Sequence, residues 1–180
     1  MAKKRASQNP VKYYDFEFIG TNVNDPAGRI YSSKDAYPRF VKDLAEISNF
    51  VFEFSIASDH LPRRVAIVTH GSTDGFWVGQ DYVSMETIQN HSESFGQLGL
   101  LMLPGIATLE LYSCRVGRNR ALLRRISSLL RGTPVIAYEE AQPASGESSG
   151  RRIRCKLDRC GTREGAPRRR RKGSSRPFAN

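Results

Sequence analysis

Only three cysteines occur in the 180 residues, spaced 41 and 5 apart, and an odd set of that kind does not make a disulfide framework. A reducing compartment is therefore the default expectation. Residues 1–10 are basic and polar, with no apolar stretch behind them of the kind a secretory signal needs, so a cytoplasmic location is expected, with signal-less export left open. Long apolar runs are also missing. The most apolar stretch, LGLLMLPGIATLELY (98–112), is too short to span a bilayer and is broken by Pro104 and Gly105. Metal-ligating clusters are scarce too. Cys155 and Cys160 have a spacing compatible with half a zinc site, but His60, His70 and His91 are scattered and supply no second pair. Neither a metal nor another cofactor is expected.

Charge is uneven. The net charge is +10, yet 12 of the 28 Lys/Arg and 2 of the 18 Asp/Glu lie from Arg151 onward, which leaves 16 of each sign before it. The basic balance thus describes the C-terminal part, and the preceding residues need not bind nucleic acid.

What is present reads as one domain between two tails. Residues 1–10 form a basic tail, 11–140 an α/β domain, and 141–180 a linker followed by an Arg-rich segment expected to be disordered. VKYYDFEFIG (11–20) reads as a strand burying Tyr13, Phe16 and Phe18. The spacing of Phe40, Val41, Leu44 and Ile47 predicts a helix over 38–48, FVFEFSI (50–56) reads as a strand, and ASDHLPRR (57–64) as a loop. VAIVT (65–69) is a short continuous apolar run of the kind a parallel sheet buries on both faces. Residues 75–79 and 81–85 form a hairpin, with Phe76 and Trp77 packing it onto the sheet. Residues 86–100 form a helix with Ile88, Phe95 and Leu98 inward and His91 facing solvent. ATLELYS (107–113) is a second core strand, 118–131 an amphipathic helix ended by Gly132, and PVIAY (134–138) a third strand. Strand, helix, strand, helix, strand describes a mostly parallel central sheet flanked by helices.

Ligand and catalytic sites of open α/β sheets form where the strands end. His70 directly follows the first core strand and Cys114 the second. If those strands are neighbours, both side chains project from one rim. A thiol needs a base or a positive environment to act as a nucleophile at neutral pH, which His70 and the amino end of the following helix would supply. Gly71, lacking a Cβ, and Cys114 would offer N–H groups to a substrate oxyanion. The opposing reading of each residue alone is structural: a histidine that caps a strand and a cysteine that acts as a small buried hydrophobe.

The same residues resemble a known family. Thr69-His70-Gly71, then Trp77-Val78-Gly79, then Leu111-Tyr112-Ser113-Cys114 are similar to the caspase-like (clan CD) cysteine peptidases. The likeness is closest to the bacterial caspase-like domain of unknown function found in large surface and repeat-toxin-type proteins. It covers residues 30 to 140 or so and rests on the two anchor motifs taken together. Ser113 stands where those domains tend to have glycine. The resemblance implies a caspase-haemoglobinase fold and a His70/Cys114 dyad acting as an endopeptidase; self-cleavage in the Arg-rich tail would follow if its pocket takes basic side chains.

Glu139 and Glu140, directly after the third core strand, are candidates to receive a basic substrate side chain, and Trp77 to line the cleft. Two other readings stay open. One is a catalytically inactive caspase-like interaction module. The other is non-specific polyanion or nucleic-acid binding through Arg168, Arg169, Arg170, Arg171 and Lys172.

Overall fold

The structure, a computed structural model, describes residues 11–20, 39–140 and 151–163. The linker at 141–150 and the Arg168–Lys172 run lie outside these residues. In chain order the elements are β1 (Lys12–Ile19), β2 (Arg39–Phe40), α1 (Leu44–Ser58), β3 (His60–Val68), β4 (Gly75–Val78) and β5 (Asp81–Ser84). After a 3-10 turn at Ile88–His91 come α2 (Ser92–Leu101), β6 (Thr108–Tyr112), a second 3-10 turn at Val116–Arg118, α3 (Arg120–Leu129), β7 (Val135–Tyr138), β8 (Arg152–Cys155) and β9 (Cys160–Arg163). The main sheet runs β2-β1-β3-β6-β7-β8-β9, and β4 and β5 form a separate hairpin. The pairs from β2 to β7 are parallel, while β8 and β9 add on antiparallel. The molecule is thus an α/β structure with a mostly parallel central sheet flanked by helices. Among the described residues no helix is long and apolar enough to cross a membrane.

Alternation along the strands builds the core. Phe16 and Phe18, Val65 and Ile67, Leu109 and Leu111, Val135 and Ala137, and Ile153 and Cys155 belong to one buried cluster. Leu44, Ile47 and Val51 of α1, Phe95 and Leu98 of α2, and Leu122, Leu123 and Ile126 of α3 complete it. Each Val, Leu, Ile or Phe among them removed from water contributes roughly 1.5–3 kcal/mol. The intervening positions Ile19, Ala66, Val68 and Ile136 are buried as well. Both faces of the central strands are therefore covered, which is why VAIV shows no polar alternation.

Five expectations from the sequence need correction. FVFEFSI is helical. Its hydrophobic positions satisfy period 2, but Leu44, Ile47, Ser48, Val51 and Ser55 recur at helical spacing and are the buried ones. Phe50 and Phe54, one turn apart, meet Phe16 edge-on at 6.2 and 5.3 Å. The helix starts at Leu44, where the Asp43 carboxylate accepts from Glu46 N at 2.7 Å, and so Phe40 lies in β2 instead.

ASDHLPRR is not a loop. β3 begins at His60 and pairs with the whole of β1, its charges offset by Arg63 on Asp15 and Arg64 on Glu110. Tyr13 is exposed, since it lies near the start of the strand on the side away from the Phe16 and Phe18 pair. Finally, order does not end at residue 140. Ile153 and Cys155 alternate with Arg152 and Arg154, so an arginine-rich composition conceals a half-buried strand.

β8 and β9 place Cys155 and Cys160 directly opposite each other, and the two are joined in a disulfide. The Lys156 N–H bonds to the Arg159 carbonyl at 2.9 Å to close the turn between them. The spacing that suggested half a metal site is that of a tight hairpin.

Candidate active site

β3 and β6 run in register with Ile67 opposite Leu111 and Val68 opposite Tyr112. The Thr69 N–H donates to the Tyr112 carbonyl at 3.1 Å, extending the ladder past the end of β3. Thr69 and His70 follow the tip of β3, and Ser113 and Cys114 follow the tip of the neighbouring β6, on strands spaced roughly 4.8 Å apart. His70 is exposed at the rim and Cys114 is a half-buried free thiol.

The chain reverses just beyond His70, over Ser72–Gly75. Gly71 bridges Phe76, with Trp77 N–H donating to the His70 carbonyl at 2.9 Å and Ser72 N–H to the Gly75 carbonyl at 2.8 Å. The Thr69 hydroxyl donates to the Trp77 carbonyl, anchoring the β4–β5 hairpin to the tip of β3. Phe76 is fully buried, but the Trp77 ring is 45 % exposed and lies 4.8 Å from Tyr82. Phe76, with Val78 and Val83, packs the hairpin inward, and Trp77 supports the histidine through its backbone.

Gly71 and Ser113 meet here. A Cβ on Gly71 would stand 1.9 Å from Ser113 Oγ and 3.1 Å from the Gly75 carbonyl oxygen, so no side chain fits. Close approach of the two motifs is itself the reason for the glycine. The two bonds of the Gly71–Phe76 bridge flank Gly71 and leave its N–H outside the pair. Ser113 is 1 % exposed, and among the described residues its hydroxyl has no hydrogen-bond partner.

Beyond Cys114 the backbone turns sharply. Arg115 is left-handed (φ 59°) and its N–H donates to the Glu140 carbonyl at 3.3 Å. Gly117 packs on the end of β7, where an added Cβ would lie 2.5 Å from the Tyr138 carbonyl carbon. The α3 helix starts at Arg120, six residues beyond Cys114, with Asn119 capping Leu122 N at 3.1 Å. The Asn119 amide also donates to the Asp74 carbonyl at 3.3 Å, so one side chain ties the histidine turn to the cysteine loop. Sequence reasoning missed Asn119, although an Asn before an amphipathic run is a recognisable cap signal.

The two candidate pocket acids fare differently. The Glu139 carboxylate lies 3.3 Å from Arg120 and 3.8 Å from Arg151, already occupied by two cations of the chain itself. Glu140 is exposed. A cavity of about 400 Å³ opens instead on the histidine side, lined by Asp74, Tyr82, Ser84, Met85, Glu86 and Asn119. His91 does not face solvent. Its ring is 14 % exposed, with Nδ1 3.8 Å from Asp81 and Nε2 3.3 Å from the Tyr82 carbonyl oxygen.

A second polar group braces β6 just before the thiol. The buried Glu110 carboxylate accepts from Arg64 at 2.9 Å, Arg152 at 2.7 Å and the Tyr112 hydroxyl at 2.8 Å. Burial, with the adjacent Glu110 charge, raises the Tyr112 hydroxyl well above its ordinary pKa. Burial would depress the Arg64 guanidinium, but the bonds and charges of Glu110 and Tyr112 outweigh it and the net shift is upward. The network spans β3, β6 and β8 and fixes their register.

A free thiol and an imidazole at the C-terminal rim of a parallel sheet, beside a glycine with an available N–H, form an arrangement able to carry acyl-transfer chemistry. The chain belongs to the family described as a domain of unknown function (DUF4347), whose model matches residues 40–145. That span runs from the second residue of β2 through β7 and includes both anchor motifs. No curated protein matches the chain.

Proposed function

We propose that the protein is a caspase-like cysteine endopeptidase of the caspase-haemoglobinase type, with His70 and Cys114 as its dyad. The observation that carries this reading is the β3–β6 register, which brings the tips of the two strands, and with them His70 and Cys114, to one rim, with Gly71 held against Ser113. His70 takes the thiol proton, and the Cys114 sulfur attacks the peptide carbonyl carbon. The N–H groups of Gly71 and Cys114 receive the negative oxygen of the tetrahedral intermediate. As the C–N bond breaks, His70 gives its proton to the leaving amine. Water then attacks the thioester with His70 as base, releasing the acid and restoring the thiol. The cavity at Asp74 and Glu86, rather than Glu139, is the recess suited to a basic substrate side chain.

Labelling with a thiol-reactive peptide electrophile tests the dyad. Wild type is expected to be modified at Cys114, Cys114→Ala not at all, and His70→Ala on the order of 100-fold more slowly. Equal rates for wild type and His70→Ala, at the speed of an ordinary thiol, would overturn the proposal.

A further inference from the structure

The far end of the sheet carries a surface that the proposed chemistry does not use. The starts of β6 and β7 and the β8–β9 turn meet there, because β8 runs antiparallel to its neighbour. Contacts tie these segments together: Thr133 Oγ1 donates to the Met102 carbonyl at 2.9 Å, Leu109 N–H to the Pro134 carbonyl at 3.0 Å, and Leu157 covers Gly132. Four aliphatic side chains at this end stand in solvent: Leu100 at 54 %, Leu103 at 39 %, Ile106 at 45 % and Leu157 at 55 % exposure.

The β8–β9 hairpin that carries Leu157 also holds a groove of about 300 Å³ lined by Arg154, Lys156, Arg159, Cys160, Gly161 and Thr162. Three of these are cations and none is an acid. The Arg154 Nε–H is enclosed and, among the described residues, has no hydrogen-bond acceptor. Asp158 is the sole carboxylate on the turn. The Cys155–Cys160 disulfide fixes Leu157 at the tip, between Lys156 and Arg159.

We infer that this end of the molecule docks on an anionic phospholipid bilayer, with lipid phosphates in the Arg154–Lys156–Arg159 groove and Leu103, Ile106 and Leu157 seated among the headgroups. The pairing of chemistries selects the partner. A nucleic-acid backbone would satisfy the cations but leave the aliphatic side chains in water, whereas a bilayer interface takes both. The His70–Cys114 rim, at the opposite end of the strands, then faces away from the membrane. The inference stands whether or not the dyad is active.

Vesicle co-sedimentation of the full chain provides the test, using phosphatidylcholine vesicles with and without phosphatidylglycerol. Binding is expected only with phosphatidylglycerol and to weaken with added salt. The change from two cations to two acids in Lys156→Glu/Arg159→Glu should weaken it at least tenfold, at about fivefold or more per charge. Leu103→Ser/Ile106→Ser, which keeps every charge, should weaken it severalfold. The segment containing Arg168–Arg171 is present in all variants, so its own attraction is common to them.

Three outcomes would each overturn the inference: no binding of wild type to phosphatidylglycerol vesicles, wild-type binding by both double variants, or loss in the charge variant alone with an equal loss of affinity for a duplex oligonucleotide. The last would assign the groove to nucleic acid.

Discussion

The two ends of the central sheet solve opposite problems. At the C-terminal end backbones are pressed together: Gly71 against Ser113 and Gly117 against Tyr138, with Thr69 tied to Trp77. At the other end side chains extend outward, and Leu103, Ile106 and Leu157 are partly exposed to water. Tight backbone contact fixes atoms to within tenths of an ångström, as a reacting constellation requires. An exposed aliphatic and cationic surface has no need of such precision and suits a soft partner. The contrast predicts that substitutions at the rim disturb stability, whereas replacing the exposed aliphatic side chains at the far end does not.

The largest effect is expected at the glycine. Gly71→Ala should cost about 3 kcal/mol, the upper range for overpacking, and slow Cys114 labelling as the two motifs separate. Adding Ser113→Gly, which removes the Oγ and Cβ that the new methyl would strike, should recover a large part of the loss in chemical denaturation. Full additivity of the two substitutions would mean that the motifs are not in contact.

The edge hairpin comes next. Replacing Cys155 and Cys160 together by alanine removes a short closed loop, worth roughly 2 kcal/mol by loop entropy. Thermal unfolding should register that loss. Labelling of Cys114 should be unchanged, which sharpens the separation between the two ends.

Tyr112 gives a smaller and pH-dependent effect. Its folded-state pKa is raised, so the folded protein holds the phenolic proton more tightly than the unfolded chain. The associated stability is complete below the unfolded value of about 10 and is lost as pH rises through that value towards the folded one. Tyr112→Phe should cost about 1 kcal/mol at neutral pH and flatten this alkaline decline. Identical alkaline limbs for the two proteins would place the titration elsewhere. The smallest change is expected for Leu103→Ser/Ile106→Ser, within about 0.5 kcal/mol of wild type. A greater loss would show that these side chains are buried in solution and break the comparison at its other end.

The legible parts of the chain were those where local pattern and tertiary environment agree. VAIV is an aliphatic run buried on both faces, and LEL sets two buried leucines around one acid, so their placement as strands needed no further information, and His70 and Cys114 just past their ends followed. The α3 region was equally readable, because Leu122, Ile126 and Leu130 recur on one stripe and are all buried. FVFEFSI misled because phenylalanines two residues apart fit a strand as well as a helix, and only the packing of Phe50 and Phe54 on β1 decides between them. RIRC misled for the reverse reason: charge on alternate positions hid a strand whose other side, Ile153 and Cys155, is fully buried.

By itself the sequence determined the alternation of strands and helices, the parallel character of the central sheet, and the two strand-end residues around which a dyad can be argued. Those features depend on local periodicity and on the one-residue distance from a strand to its tip. Tertiary structure alone decided the neighbours. It set β3 beside β6, filled the Glu139 carboxylate with Arg120 and Arg151, and paired Cys155 with Cys160. It also gathered Leu103, Ile106 and Leu157 at one end of the sheet. Such contacts join residues up to dozens of positions apart, and no short-range pattern encodes which distant segment will fill the space beside a given side chain.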